Sequence, residues 1–175
     1  EIIPPELARY DLRQLTINYR SPAENDGLAE ALLAEIAPDL PSPRSLRRSG
    51  RAPTIISSVD PLTRGLELAD LELAQHPQIR VACIVAEQVD VASMSEAATD
   101  PRLFLLTARQ AKGLEFDVVI VAEPADIADQ DYGLNLLYVA ATRATQALVL
   151  VHHRPLPEPL ARGLESFQPS PAALR

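Results

Sequence analysis

The sequence predicts an α/β fold: a mostly parallel sheet with helices on both faces. Two observations predict it. The apolar runs "IRVACIVA" (79–86), "RLFLLTA" (102–108), "DVVIVAE" (117–123) and "QALVLVHH" (146–153) read as buried strands, because a strand covered on both faces need not alternate. Amphipathic helical patterns lie among them, which is the order that a sheet with crossover helices requires. The chain has 175 residues, enough for one well-buried domain and too few for two of ordinary size.

Taken in order, "RQLTIN" (13–18) alternates as a short strand. Ser21 and Pro22 read as N-cap and first residue of a helix reaching about Ala37, with Leu28, Leu32, Leu33 and Ile36 at helical spacing. Pro38, Pro41 and Pro43 end it. "PSPRSLRRSGRAP" (41–53) reads as an exposed basic loop, and its Arg47 and Arg48 are candidates for phosphate or partner contact. "TIISS" (54–58) is a strand and "LTRGLELADLELAQHP" (62–77) a helix, while the polar segment through Asp100 carries no expected element. "PADIADQD" (124–131) reads as an acidic loop. "YGLNLLYVAATRA" (132–144) reads as a helix with Leu134, Leu137, Tyr138 and Ala141 on one face. From Pro155 the chain is proline-rich with little periodicity. The expected division is a connector over 1–12, a domain over 13–154 and a C-terminal arm over 155–175.

A net charge of −8 argues against a broadly basic, nucleic-acid-coating surface. The single cysteine, Cys83, lies in an apolar run, excludes an internal disulfide and fits a packed thiol in a reducing, cytoplasmic setting. No apolar run approaches the roughly 20 residues of a membrane helix, and the N-terminus has no signal-peptide pattern. No protein-held metal is expected. His152 and His153 are adjacent on a strand and point to opposite faces, and Asp126, Asp129 and Asp131 lack calcium-loop spacing.

A phosphate loop of the form G-x-x-x-x-G-K-[ST] needs a lysine followed by a hydroxyl residue. The one lysine, Lys112, is followed by Gly113, so the chain has no such loop. Three other stretches carry the chemistry: "LTINYRS" (15–21), "LLTARQAKGLEFDVVIV" (105–121) and "LNLLYVAATRA" (134–144). In this order they resemble motifs IV, V and VI of the superfamily 1 helicases of the UvrD/Rep type, which lie on the second RecA-like domain.

That resemblance implies a RecA-like motor domain that closes over ATP held by a first RecA-like domain of the same parent chain. The first domain would supply the phosphate loop and the acid that binds Mg2+. By the resemblance, Tyr19 stacks on adenine, Arg20 and Arg143 reach the γ-phosphate, and Glu115 takes the ribose hydroxyl. Lys112 and Gly113 form the turn that presents it. The parent would hydrolyse ATP and the 175-residue chain alone would not. The match departs at Ile17, where the family has glutamine, and at Arg109, two positions after Thr107, where it has a histidine on single-stranded DNA. Thr107 and Arg109 are therefore candidate strand contacts. Arg20 to Thr107 spans 87 residues, with no room for the domain inserted in UvrD and Rep. That interval, with "NYRSPAE" and "AKGLEFDVVIV", resembles the HelD group of actinobacteria, ATPases that free RNA polymerase from nucleic acid. The alternatives are a DNA repair helicase without the insertion and a non-catalytic RecA-like binding module.

Overall fold

The structure, a computed structural model, describes residues 17–19, 21–49, 51–97 and 100–165. The expected connector over 1–12, the first part of the strand over 13–18, and Arg20 lie outside those residues. Strand β1 (Ile17–Asn18) pairs in parallel with β2 (Arg44–Ser45) as a small separate ribbon. The main sheet comprises β3 (Thr54–Ser57), β4 (Val81–Val85), β5 (Leu103–Thr107), β6 (Phe116–Ala122) and β7 (Ala144–His152). Their order is β3-β7-β6-β4-β5, and every neighbouring pair is parallel. The α/β expectation therefore holds.

Side-chain alternation along β4 divides the core. Ala82 and Ile84 face a cluster shared with α1 (Asp26–Ile36), α4 (Pro124–Ala128), α5 (Gly133–Ala141) and α6 (Glu158–Glu165). Val81, Cys83 and Val85 face the opposite cluster, shared with α2 (Pro61–Gln75) and α3 (Val91–Ala97). All five residues of β4 are buried, as expected for a central strand covered on both sides. Gly65 lets α2 approach closely, since a Cβ there would meet Cys83 Sγ at 3.3 Å. Cys83 is the packed thiol that the sequence predicts, and burial pushes its pKa up to about 12.

Four local expectations are corrected. Ser21 caps no helix: Ala23–Asn25 is a 3-10 turn preceded by Pro22, and α1 starts at Asp26. The polar segment before Asp100 contains α3, whose Val91 and Met94 pack on the second cluster. "PADIADQD" is not an acidic loop, because Pro124–Ala128 forms α4 with Ile127 fully buried. The arm from Pro155 begins instead with α6, whose Leu160 is buried and whose Gly163 allows backbone approach to α1. A Cβ at Gly163 would meet the Gly27 carbonyl oxygen at 2.7 Å, so a short motif of small residues stood in for the missing periodicity. Residues 166–175 lie outside the described residues. Among the described residues no helix is long and apolar enough to cross a membrane.

Candidate functional site

Ligands of open α/β sheets gather at the C-terminal strand ends, but three of the expected site residues, Gly113, Glu115 and Arg143, lie elsewhere. They meet at the N-terminal mouths of β6 and β7. Arg143 follows the end of α5 and immediately precedes β7. Its guanidinium donates from Nε to the Val139 carbonyl (3.1 Å), from Nη1 to the Leu114 carbonyl (3.1 Å) and from Nη2 to Thr142 Oγ1 (3.2 Å). The Phe116 amide donates to the Arg143 carbonyl at 3.1 Å. Arg143 thus ties the "YVAATR" helix end to the turn ahead of β6. Its position at a helix C-terminus also answers the helix dipole.

That turn is shaped by its sequence. Gln110 Oε1 accepts from the Thr107 amide at 2.9 Å, and Thr107 Oγ1 accepts from the Gln110 amide at 3.4 Å, the reciprocal pattern of a capping box. The chain then reverses through Gly113 at φ +85°, a left-handed conformation that favours glycine. Glu115, half-buried, follows Leu114 into β6. Beside it, β7 carries one extra residue between the pairs Phe116–Ala144 and Val118–Ala147. Such a bulge re-aims side chains at a strand end. Asp117 is structural here: its carboxylate accepts from the Arg80 amide at 2.8 Å and from Gln146 Nε2 at 2.7 Å.

The third segment reaches the same mouth through residues that flank Arg20. Ser21 is buried and its hydroxyl donates to the Thr142 carbonyl at 3.1 Å. Asn18 Oδ1 accepts from the Ser21 amide at 3.3 Å, and Asn18 Nδ2 donates to Ser45 Oγ at 3.2 Å. A cleft of about 240 Å³ results, lined among others by Asn18, Ser21, Asn25, Tyr138, Thr142 and Arg143. Burial raises the pKa of Tyr138, and the charge of Arg143 opposes the rise. Tyr19 is 70% exposed beside this cleft in sequence, an aromatic ring open to solvent.

Other expected residues lie apart from it. Lys112 and Arg109 line a second groove of about 400 Å³ with Tyr132, Asn135, Leu136 and Val139. Arg109 Nε lies 3.8 Å from Glu87 Oε1, and Thr107 is buried at the end of β5. Arg47 and Arg48 are exposed, yet their loop is fastened to the first motif: Ala23 donates to the Arg47 carbonyl at 2.8 Å, and Ser49 donates to Glu24 Oε2 at 3.0 Å. The sequence reading missed Asn25 and the link from Ser21 to Thr142. The "NYRS" run does hold Ser21, but its hydroxyl resembled a helix cap.

Residues 102–151 match the model of the UvrD-like helicase C-terminal domain. The matched segment contains β5, the Gly113 turn, β6, α5 and Arg143, and so includes the second and third motif stretches. Among solved structures, the chain resembles the C-terminal domain of a possible DNA helicase from Lactobacillus plantarum WCFS1. That match has 22% identity and a TM-score of 0.57, and covers 83% of this chain and 93% of that one. It establishes the RecA-like α/β fold. Domain III of the replication initiation protein DnaA from Thermotoga maritima is more distant. It has 14% identity and a TM-score of 0.40, and covers 88% of this chain and 65% of that one. No curated protein matches the chain.

Proposed function

We propose that this chain is the second RecA-like motor domain of a UvrD-like superfamily 1 ATPase, and that the cleft beside Arg143 meets ATP held by a partner RecA-like domain. One observation carries the reading: three segments distant in sequence converge on one sheet mouth through Ser21–Thr142 and Arg143–Leu114 hydrogen bonds. In this reading Arg143 and Arg20 neutralise charge developing on the γ-phosphoryl group, as arginine fingers do. Arg143 would carry out that role by exchanging backbone carbonyls for phosphate oxygens, which its planar fork of donors permits. Tyr19 stacks on the base and Glu115 accepts from the ribose. Lys112 and Gly113 shape the turn that presents Glu115. Mg2+ arrives with ATP on the partner domain, and the 175-residue chain alone does not hydrolyse ATP.

The HelD-like form of this function is the more specific proposal, with RNA polymerase as the partner and its release from nucleic acid as the outcome. Its support is the interval between the first two motifs. Among the described residues that interval is occupied by α1, the β2 ribbon, β3, α2, β4, α3 and β5, all parts of this one domain. A repair helicase acting on single-stranded DNA, contacted through Thr107 and Arg109, is the competing form. The test is ATPase activity of the intact parent with RNA polymerase or single-stranded DNA added. Stimulation by polymerase alone supports the first form, stimulation by DNA alone supports the second, and neither leaves the binding-module reading.

A further inference from the structure

Among the described residues lining the cleft beside Arg143, one buried side chain has its hydrogen-bonding capacity unspent. Asn25 is 2% exposed and lines the cleft, yet neither its amide nitrogen nor its amide oxygen has a partner. Both atoms are closed off from solvent, so bulk water does not serve them. Three polar residues that share the cleft are occupied. Asn18 holds Ser45 and Ser21, Ser21 holds Thr142, and the Asp26 carboxylate accepts from the Ser45 amide and hydroxyl. A buried amide left without partners is destabilising, and leucine would fill similar space without that penalty.

We infer that Asn25 reads the nucleoside half of the nucleotide, through a neutral group that both donates and accepts a hydrogen bond. The inference rests on the nucleotide reading above. A phosphate oxygen only accepts, so it would satisfy the Asn25 nitrogen and leave the oxygen stranded. A ribose hydroxyl, or a base edge with an amine beside a ring nitrogen, satisfies both atoms at once. The cleft's lining includes one cation, Arg143, and one anion, Asp26, whose carboxylate is engaged by Ser45, together with the neutral Asn18, Ser21 and Asn25.

The test titrates the intact parent, which carries both RecA-like domains in the reading above, with ATP, 2′-deoxyATP, GTP and tripolyphosphate, comparing wild type with Asn25→Leu. Asn25→Ala replaces the leucine variant should that not fold, and thermal melts accompany both. The expected result is ATP affinity weakened at least about fivefold, tripolyphosphate affinity unchanged, and a melting temperature equal to or above that of wild type. A sugar contact makes wild type lose the same factor with 2′-deoxyATP, and a base-edge contact makes it lose that factor with GTP. Unchanged ATP affinity in a folded variant, or equal weakening of tripolyphosphate, overturns the inference. If Arg143→Ala weakens ATP binding while Asn25→Leu does not, this inference alone fails. Wild-type protein that binds neither ATP nor tripolyphosphate overturns the nucleotide reading together with it.

Discussion

The two ends of the central sheet treat their polar groups differently. At the C-terminal end, Glu123 Oε2 accepts from the amides of His153 (2.9 Å) and Arg154 (3.1 Å), fastening β6 to β7. Arg154 in turn bridges Asp126 at 2.8 Å and Asp129 at 2.7 Å, and Asp60 caps α2 by accepting from the Thr63 amide at 3.0 Å. One oxygen of Glu123 is buried without a partner, but its carboxylate is already committed to the clasp. At the N-terminal mouth, the comparable group is Asn25, with neither amide atom committed. The C-terminal end is built as a clasp, even though ligands of open α/β sheets usually bind there. The N-terminal mouth keeps unspent capacity in Asn25, which the proposed closure onto a nucleotide would use.

The contrast makes graded predictions. The largest effect is expected at Gly133, where a Cβ would lie 2.1 Å from the Ala128 carbonyl oxygen, in the junction that positions the Arg143 helix. Gly133→Ala should destabilise the domain by on the order of 3 kcal/mol, because the obstacle is backbone that cannot rotate aside. Urea unfolding measures it. Glu123→Ala comes next: it removes two backbone-to-carboxylate hydrogen bonds at the clasp and should cost about 1–3 kcal/mol, with nucleotide affinity unchanged. Weakened nucleotide binding in that variant would erase the distinction between the two ends. Gly113→Ala should be milder, about 1–2 kcal/mol, since the position is left-handed but a Cβ there meets nothing within 4 Å. Its signature should be a larger loss of nucleotide affinity than of stability.

The smallest effect concerns Cys83, on the face away from the cleft. Its folded pKa of about 12 exceeds the ordinary value of 9.0, so the folded state retains a proton that the unfolded chain loses. Its contribution to stability is therefore complete below pH 9 and declines as pH rises toward 12. A thiol reagent at pH 8 should label the denatured chain and leave the native one unmodified. Rapid native labelling would contradict the packed core.

Much of this was legible in the sequence, for reasons that can be named. The main-sheet strands were readable because four of them are nearly continuous apolar runs, and parallel strands covered on both sides leave no other pattern. The Gly113 turn and Arg143 stand inside motif stretches and do meet at one sheet mouth, whereas Lys112 of the same stretch lines another groove. Elements held by other means escaped. α6 docks through Leu160 and the absence of a side chain at Gly163, and α4 is five residues long with one dominant apolar anchor, Ile127. Asn25 escaped for a further reason: beside "NYRS" it looks like ordinary turn chemistry, and only its burial shows the amide to be unserved.

The most direct measurement is steady-state ATPase of the intact parent, wild type against Arg143→Ala, with a melt to confirm folding. Arg143 bonds both the Val139 and Leu114 carbonyls, so Arg143→Lys serves as a second variant that retains charge but loses the planar fork. A folded alanine variant should lose about a hundredfold or more in rate. An unchanged rate in a folded variant would mean that Arg143 is only a strut between α5 and the Gly113 turn, and that the converged motifs do not meet ATP.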